Sequence, residues 1–226
     1  METALVKPKS VARLTRGYGI CLIATVLWST TAIFIRYLTE TYRMPPLVLA
    51  FWRDIILAAA LLLVFVFFAP HRLRLERAHI PFMIAYGLIL ALFNSLWTIS
   101  VALNGAAVST VLAYSSAAFT AVLGWKLFNE SLGWQKIGAV TLSLLGCVFV
   151  SGAYDLSAWL VNPLGVVTGL ASGMAFAAYS LMGKGALGKN INPWTVLFYA
   201  FGIGALFIFS FNLFHLKLPA GVASPD

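Results

Sequence analysis

The sequence predicts an all-α, polytopic transmembrane helical bundle, and three observations support this prediction. Of the 226 residues, 61% are hydrophobic and only 10% are charged, whereas a soluble domain is about 45–50% apolar and about 25% charged. The apolar residues form long continuous runs instead of alternating with polar residues, which indicates helices rather than strands. Clusters of basic residues separate these runs. A soluble domain and a disordered chain are therefore both excluded.

Seven runs are long enough to cross a bilayer, which takes about 20 mostly apolar residues. After a tail of residues 1–16, the predicted helices lie at residues 17–39, 47–69, 80–103, 106–128, 133–152, 164–186 and 194–215. Turn-forming pairs separate several of them, namely Pro45–Pro46, Asn104–Gly105, Asn162–Pro163 and Asn192–Pro193. The first run is too long for a signal peptide and has no small-residue cleavage site, so we expect it to be retained.

The basic residues predict the orientation of these helices. If the seven helices alternate in direction, eleven of the fifteen Lys and Arg residues lie on one side of the membrane. Basic loops favour the cytoplasmic side. We therefore expect residues 1–16 to be cytoplasmic, the C-terminus to lie outside, and the chain to reside in the plasma or inner cell membrane. The net charge of +8 then marks orientation rather than a nucleic-acid-binding surface.

The chain contains an internal repeat with a period of 148 residues, because residues 17–56 align with 165–204 without a gap. The aligned pairs include Gly17 with Gly165, Trp28 with Phe176, Arg36 with Lys184 and Pro45 with Pro193. Residues 17–152 form a first five-helix repeat, and residues 164–226 form the first two helices of a second. Because five is odd, the second copy enters the membrane inverted, which is typical of secondary transporters. At this period the second repeat would run to about residue 312, so seven of an expected ten helices are seen.

The hairpin that joins the fourth and fifth helices carries a recognisable pattern. It consists of a Glu at the turn, a Gln-x-x-Gly shortly after it and a further Gly, which are Glu130, Gln135, Gly138 and Gly146. Together with Arg53, which follows Pro46 early in the second helix, these residues resemble the drug/metabolite transporter superfamily, EamA type. The resemblance implies a ten-helix carrier of small metabolites with both termini cytoplasmic. One departure is that residues 115–117, Ser-Ser-Ala, replace the proline that usually kinks the fourth helix.

Several polar and aromatic residues at mid-depth predict a central substrate site. Arg53 lies about 10 Å into its helix, where a charge is costly and by default functional. It could bind a substrate carboxylate, or instead reach the interface or pair with Asp54. The full set of candidate substrate-binding residues is Trp28, Thr31, Arg53, Asn94, Trp97, Tyr114, Ser115 and Tyr179. For each of them, ordinary packing between helices is the alternative interpretation.

Two other features have structural and functional interpretations. Glu130 at the cytoplasmic turn is expected to stabilise the hairpin, with proton coupling as the alternative, because the position is interfacial. Gly165, Gly169 and Gly173 form a ridge of small residues that predicts close approach of the sixth helix to a neighbour.

The sequence therefore predicts a membrane transporter of small metabolites, amino-acid-like or amphipathic, that works by alternating access. The alternative is a non-transporting scaffold or subunit that acts only in complex with another chain. We find no catalytic triad, phosphate-binding loop or metal-ligand spacing, and expect no enzymatic activity, metal or cofactor. The expected partners are a small solute and the lipid bilayer, but not nucleic acid. Association with further copies of the chain, the substrate, its direction and any coupling ion stay open.

Overall fold

The computed structural model describes residues 8–128, 133–151, 162–189 and 191–217, and these residues form α-helices joined by short turns, with no strand among them. The helices are α1 (Pro8–Ser29), α2 (Thr31–Tyr42), α3 (Pro46–Phe68), α4 (Ile80–Tyr114), α5 (Ser116–Phe128), α6 (Trp134–Ser151), α7 (Pro163–Gly188) and α8 (Pro193–Lys217). Two short 3-10 turns, Pro70–Leu73 and Arg77–His79, connect α3 to α4. The predicted all-α fold class is confirmed.

Five continuous helical stretches of the described chain are long and apolar enough to cross a membrane. They are Gly17–Tyr42, Pro46–Phe68, Arg77–Lys126, Pro163–Gly188 and Pro193–Leu213. The third contains 50 residues, more than twice the number that one crossing requires. It covers two of the helices that the sequence predicts, at 80–103 and 106–128.

Gly105 divides α4 into two antiparallel legs. Its backbone has φ +78° and ψ 169°, a left-handed region that glycine adopts without steric cost. Ser100 Oγ and Ser109 Oγ are hydrogen-bonded at 2.9 Å, although nine residues of straight helix would separate them by about 13.5 Å. The chain therefore folds back at the predicted Asn104–Gly105 turn, and the returning leg begins in α4 and continues in α5. We call residues 80–114 the α4 hairpin.

Contacts at the helix ends show that α3 and α8 run antiparallel, as the predicted alternation of helices requires. At one side, the Thr195 hydroxyl and the Tyr199 hydroxyl donate to the carbonyl groups of Arg72 and Leu73, at 2.9 and 2.7 Å. These bonds join the turn after α3 to the start of α8. At the opposite side, the Asn212 amide near the end of α8 donates to the carbonyl of Leu47 at the start of α3, at 3.1 Å.

The glycine ridge of α7 packs against the α4 hairpin, as predicted. A Cβ atom added to Gly165 would lie 2.5 Å from the side chain of Asn104, and one added to Gly169 would lie 2.6 Å from Leu112 Cδ1. A Cβ atom added to Gly173 would collide with the Ser115 hydroxyl. Only glycine therefore allows this separation of α7 from the hairpin, which makes the hairpin and α7 the centre of the bundle.

Two helix interruptions occur where the sequence contains hydroxyl side chains. Between α1 and α2, the hydroxyls of Ser29 and Thr30 donate to the carbonyl groups three residues earlier, both at 2.7 Å. Between α4 and α5, the Ser115 hydroxyl donates to the carbonyl of Leu112 at 2.5 Å. Such bonds compete with the helical backbone pattern. The helix is therefore tightened locally at Ser115, whose N–H donates to the Leu112 carbonyl three residues earlier at 3.2 Å, while its backbone angles stay helical and the proline usual in the resembled family is missing.

Candidate functional site

An aromatic cavity of about 200 Å³ lies between α1, the α4 hairpin and α7. Its walls are mainly aromatic rings, from Trp28, Phe93, Trp97, Tyr114 and Phe176. Its polar groups are hydroxyls, from Thr25, Ser29, Thr110, Tyr114 and Ser116. None of the described lining residues carries a charge. The volume is below the roughly 300–1,000 Å³ of pockets for drug-sized ligands, so the cavity suits a smaller solute.

The cavity is located at both helix interruptions. Ser29 lies beside the break at Thr30, and Tyr114 and Ser116 flank the break at Ser115. The discontinuous helices of many transporters expose backbone polar groups at the substrate site. Here the backbone stays helical at both points, because Phe34 N donates to the Thr30 carbonyl and Phe119 N to the Ser115 carbonyl, both at 3.1 Å.

Two residues that the predicted repeat treats as equivalent contact each other in this cavity. The ring centroids of Trp28 and Phe176 are 6.0 Å apart, with an interplanar angle of 50°. A two-fold axis that relates two repeats must pass between any equivalent residues that touch. A two-fold axis that relates the two predicted repeats would therefore run through the aromatic cavity.

The structure brings three of the eight predicted site residues into the cavity wall, namely Trp28, Trp97 and Tyr114. Ser115 lies next to the wall, but its hydroxyl donates to the carbonyl of Leu112. Tyr179 lies in the adjoining aromatic core, stacked on Tyr86 at 4.7 Å between ring centroids.

Thr31 and Arg53 lie away from this cavity, at a second one of about 250 Å³ between α2 and α3. The sequence places Thr31 on the same helix face as Trp28. In the structure the backbone stays helical at Thr30, but the two side chains line different cavities. Arg53 still contacts the aromatic cavity indirectly, because its guanidinium lies 5.8 Å from the ring centroid of Trp97.

Asn94 does not line the aromatic cavity and instead binds Asp54, a buried carboxylate that the sequence-based site does not include. Asn94 Nδ2 donates to Asp54 Oδ1 and Oδ2, at 2.9 and 2.7 Å. Asp54 is 0% exposed and also accepts a 3.3 Å bond from Arg53 Nε. A carboxylate inside an apolar run is a signal that could have identified it. The pairing of Arg53 with Asp54, one of the alternatives that the sequence offered, is therefore present, and Asn94 is a second donor.

The family-like pattern at the second hairpin lies partly outside the described residues. Glu130 and Ser131 fall in the undescribed segment 129–132, so neither a pairing nor a capping contact can be assigned to them. Gln135, Gly138 and Gly146 lie on α6 and are exposed, and a Cβ atom at either glycine would have nothing within 4 Å. These residues do not contribute to the aromatic cavity.

Comparisons with known proteins give one match. The profile of the EamA-like transporter family matches residues 15–152, which is more than half of the chain. Comparison with curated proteins and with solved structures returned no match.

Proposed function

The chain belongs to the EamA-like transporter family, a family of multi-pass membrane transporters of small solutes, and on this premise we propose that it transports amphipathic metabolites by alternating access. The solutes are amino-acid-like molecules and other small molecules that combine an apolar body with a few hydrogen-bonding groups. The family match covers residues 15–152, nearly the same range as the predicted first repeat.

The aromatic cavity is the observation that carries this proposal. Rings on several sides provide a surface for an apolar group, and hydroxyls supply a few oriented hydrogen bonds. Because the described lining residues are uncharged, the cavity favours a solute whose apolar part enters it. The candidate binding residues that touch it are Trp28, Trp97 and Tyr114, with Phe93 and Phe176 added by the structure.

Alternating access would use the contact between the two predicted repeats. The repeat-related Trp28 and Phe176 meet at the cavity, so rocking of one repeat against the other changes the access to this point first. Because the glycine ridge of α7 packs closely on the α4 hairpin, α7 could slide along the hairpin during this motion. This mechanism requires that the cavity opens to each side of the membrane in turn.

Transport in proteoliposomes tests the proposal. The purified chain is reconstituted, and the uptake and efflux of pooled amino acids and amphipathic amines are measured against empty vesicles. We expect at least one solute to move faster than in the empty vesicles and to saturate with concentration. If no solute does, and crosslinking in native membrane finds the chain only in a hetero-oligomer, the scaffold function is favoured instead.

The proposal includes the orientation predicted from the basic residues. The N-terminus is placed in the cytoplasm, and the membrane is the plasma or inner cell membrane. A protease-cleavable tag before Met1 tests this orientation. Cleavage is expected in inverted vesicles and not in right-side-out vesicles, and the reverse result would contradict the assignment.

A further inference from the structure

Two neighbouring contacts join α3 to the first leg of the α4 hairpin. Asp54 accepts two hydrogen bonds from α4, both from the amide of Asn94. The neighbouring Arg53 places its guanidinium over the ring of Trp97, at 5.8 Å. Asn94 and Trp97 are three residues apart and therefore share one helix face. We call these four residues the α3–α4 clamp.

Asp54 is the centre of the clamp, although it lines neither cavity. Its carboxylate lies where three helices meet, because a Cβ atom added to Gly204 of α8 would lie 3.8 Å from Asp54 Oδ2. A fully buried carboxylate needs hydrogen-bond donors to compensate for its lost hydration. Asn94 and Arg53 supply them, at 2.7–3.3 Å. The position of both residues is therefore coupled to Asp54.

Arg53 has few other contacts that could hold it over Trp97. Its Nε donates to Asp54 Oδ1, and its Nη2 is buried with no hydrogen-bond partner among the described residues. The attraction between a guanidinium and an aromatic face depends on the position of the cation over the ring. Without the Asp54 carboxylate, the guanidinium would lose the bond that keeps it at the ring of Trp97.

We propose that Asp54 is a positioning residue, which holds the Trp97 ring in the wall of the aromatic cavity through Arg53 and Asn94 and so determines the preference for aromatic over saturated solutes. The inference rests on the proposed function, since it assumes that the cavity binds the solute. It adds a determinant that does not touch the solute, and it assigns aromatic-ring metabolites as the preferred substrate class.

The first test compares phenylalanine with cyclohexylalanine, which has the same carbon skeleton with a saturated ring. In proteoliposomes, Asp54→Asn is expected to raise the KM for phenylalanine about 3- to 10-fold, the scale of an aromatic contact, with little change in the KM for cyclohexylalanine or in either maximal rate.

The exchanged pair Asp54→Asn/Asn94→Asp restores one amide and one carboxylate at the same place, and should recover the phenylalanine preference. Glu40→Gln is the matched control, because Glu40 pairs with Arg36 at 2.8 Å on the exposed part of α2. A uniform change for both solutes in Asp54→Asn, or none, would overturn the inference.

The second test observes Trp97 without any substrate. The full chain is labelled with 5-fluorotryptophan, and the 19F signal that disappears in Trp97→Phe is assigned to Trp97. We expect Asp54→Asn to shift this signal and Glu40→Gln to leave it in place. An unmoved Trp97 signal in folded Asp54→Asn protein refutes the positioning role, whether or not transport is found. A shifted signal in a chain that moves no solute supports the positioning of Trp97 and refutes the transport function.

Discussion

Replacing Gly169 by alanine should destabilise the bundle, because α7 and the α4 hairpin leave no room for a methyl group. The new Cβ would lie 2.6 Å from Leu112 Cδ1, 2.8 Å from Leu112 Cβ and 2.8 Å from Ser100 Oγ, whereas carbon atoms in contact are about 3.5–4.0 Å apart. Leu112 Cβ cannot rotate away, so the two helices must separate by up to about 1 Å.

The separation also affects the hydroxyl of Ser100, which is hydrogen-bonded to Ser109 Oγ and to the carbonyl of Gly165, at 2.9 and 2.8 Å. Overpacking typically costs about 1–3 kcal/mol, and a lost hydrogen bond costs about 1 kcal/mol. The higher helix propensity of alanine offsets this destabilisation by up to about 1 kcal/mol. The free energy of unfolding should therefore fall by about 1–3 kcal/mol for Gly169→Ala.

Gly185→Ala is the matched control on the same helix, because a Cβ atom there would have nothing within 4 Å. Thermal unfolding of both variants in detergent gives the comparison. At roughly 2–4 °C per kcal/mol for a chain of this size, Gly169→Ala should lower the melting temperature by several degrees, and Gly185→Ala should leave it unchanged or raise it. Equal effects of the two substitutions would refute the assigned packing of the ridge.

Three further substitutions test other contacts. Trp28→Ala removes one cavity wall and should raise the solute KM in proteoliposomes about 3- to 10-fold. The control Trp134→Ala, at an 87% exposed position, should leave the KM unchanged, and similar KM values for the two variants would count against the cavity. Arg53→Ala leaves the Asp54 carboxylate with one donor fewer and should lower the initial transport rate far more than Arg43→Ala, so equal, small effects would remove its special role. Asn162→Ala deletes the side chain that caps α7 by accepting from Gly165 N at 3.3 Å, and should lower the unfolding free energy by about 1 kcal/mol in thermal unfolding; an unchanged value would argue against the cap.

The helix positions were largely predictable because apolar length and turn residues determine them. The predicted helix at 47–69 corresponds to Pro46–Phe68, and the one at 164–186 to Pro163–Gly188. Prolines and Asn-Pro pairs mark these starts. The interruptions at Thr30 and Ser115 were not predictable, because a hydroxyl bond to a carbonyl three residues earlier leaves the apolar pattern unchanged.

The candidate site was only partly predictable, since it depends on which helices become neighbours. Two of the mid-depth aromatic residues chosen from the sequence, Trp28 and Trp97, line the aromatic cavity. Helical spacing alone placed Thr31 with Trp28, whereas in the structure Thr31 lies at the second cavity, between α2 and α3. Asp54 was assigned no site role, because its partner Asn94 is 40 residues away in sequence and is brought to it only by the packing of α3 on α4.

The contact between Trp28 and Phe176 has a consequence for how such a chain can change during evolution. If the two halves descend from one ancestral unit that paired with itself, the same residue once met its own copy at this point. After fusion, each side can mutate separately, and a large ring on one side leaves space for a somewhat smaller ring on the other. The present pair, an indole against a phenyl ring at 6.0 Å, is what such a history would predict. Substitutions at these two positions should therefore compensate each other across related chains.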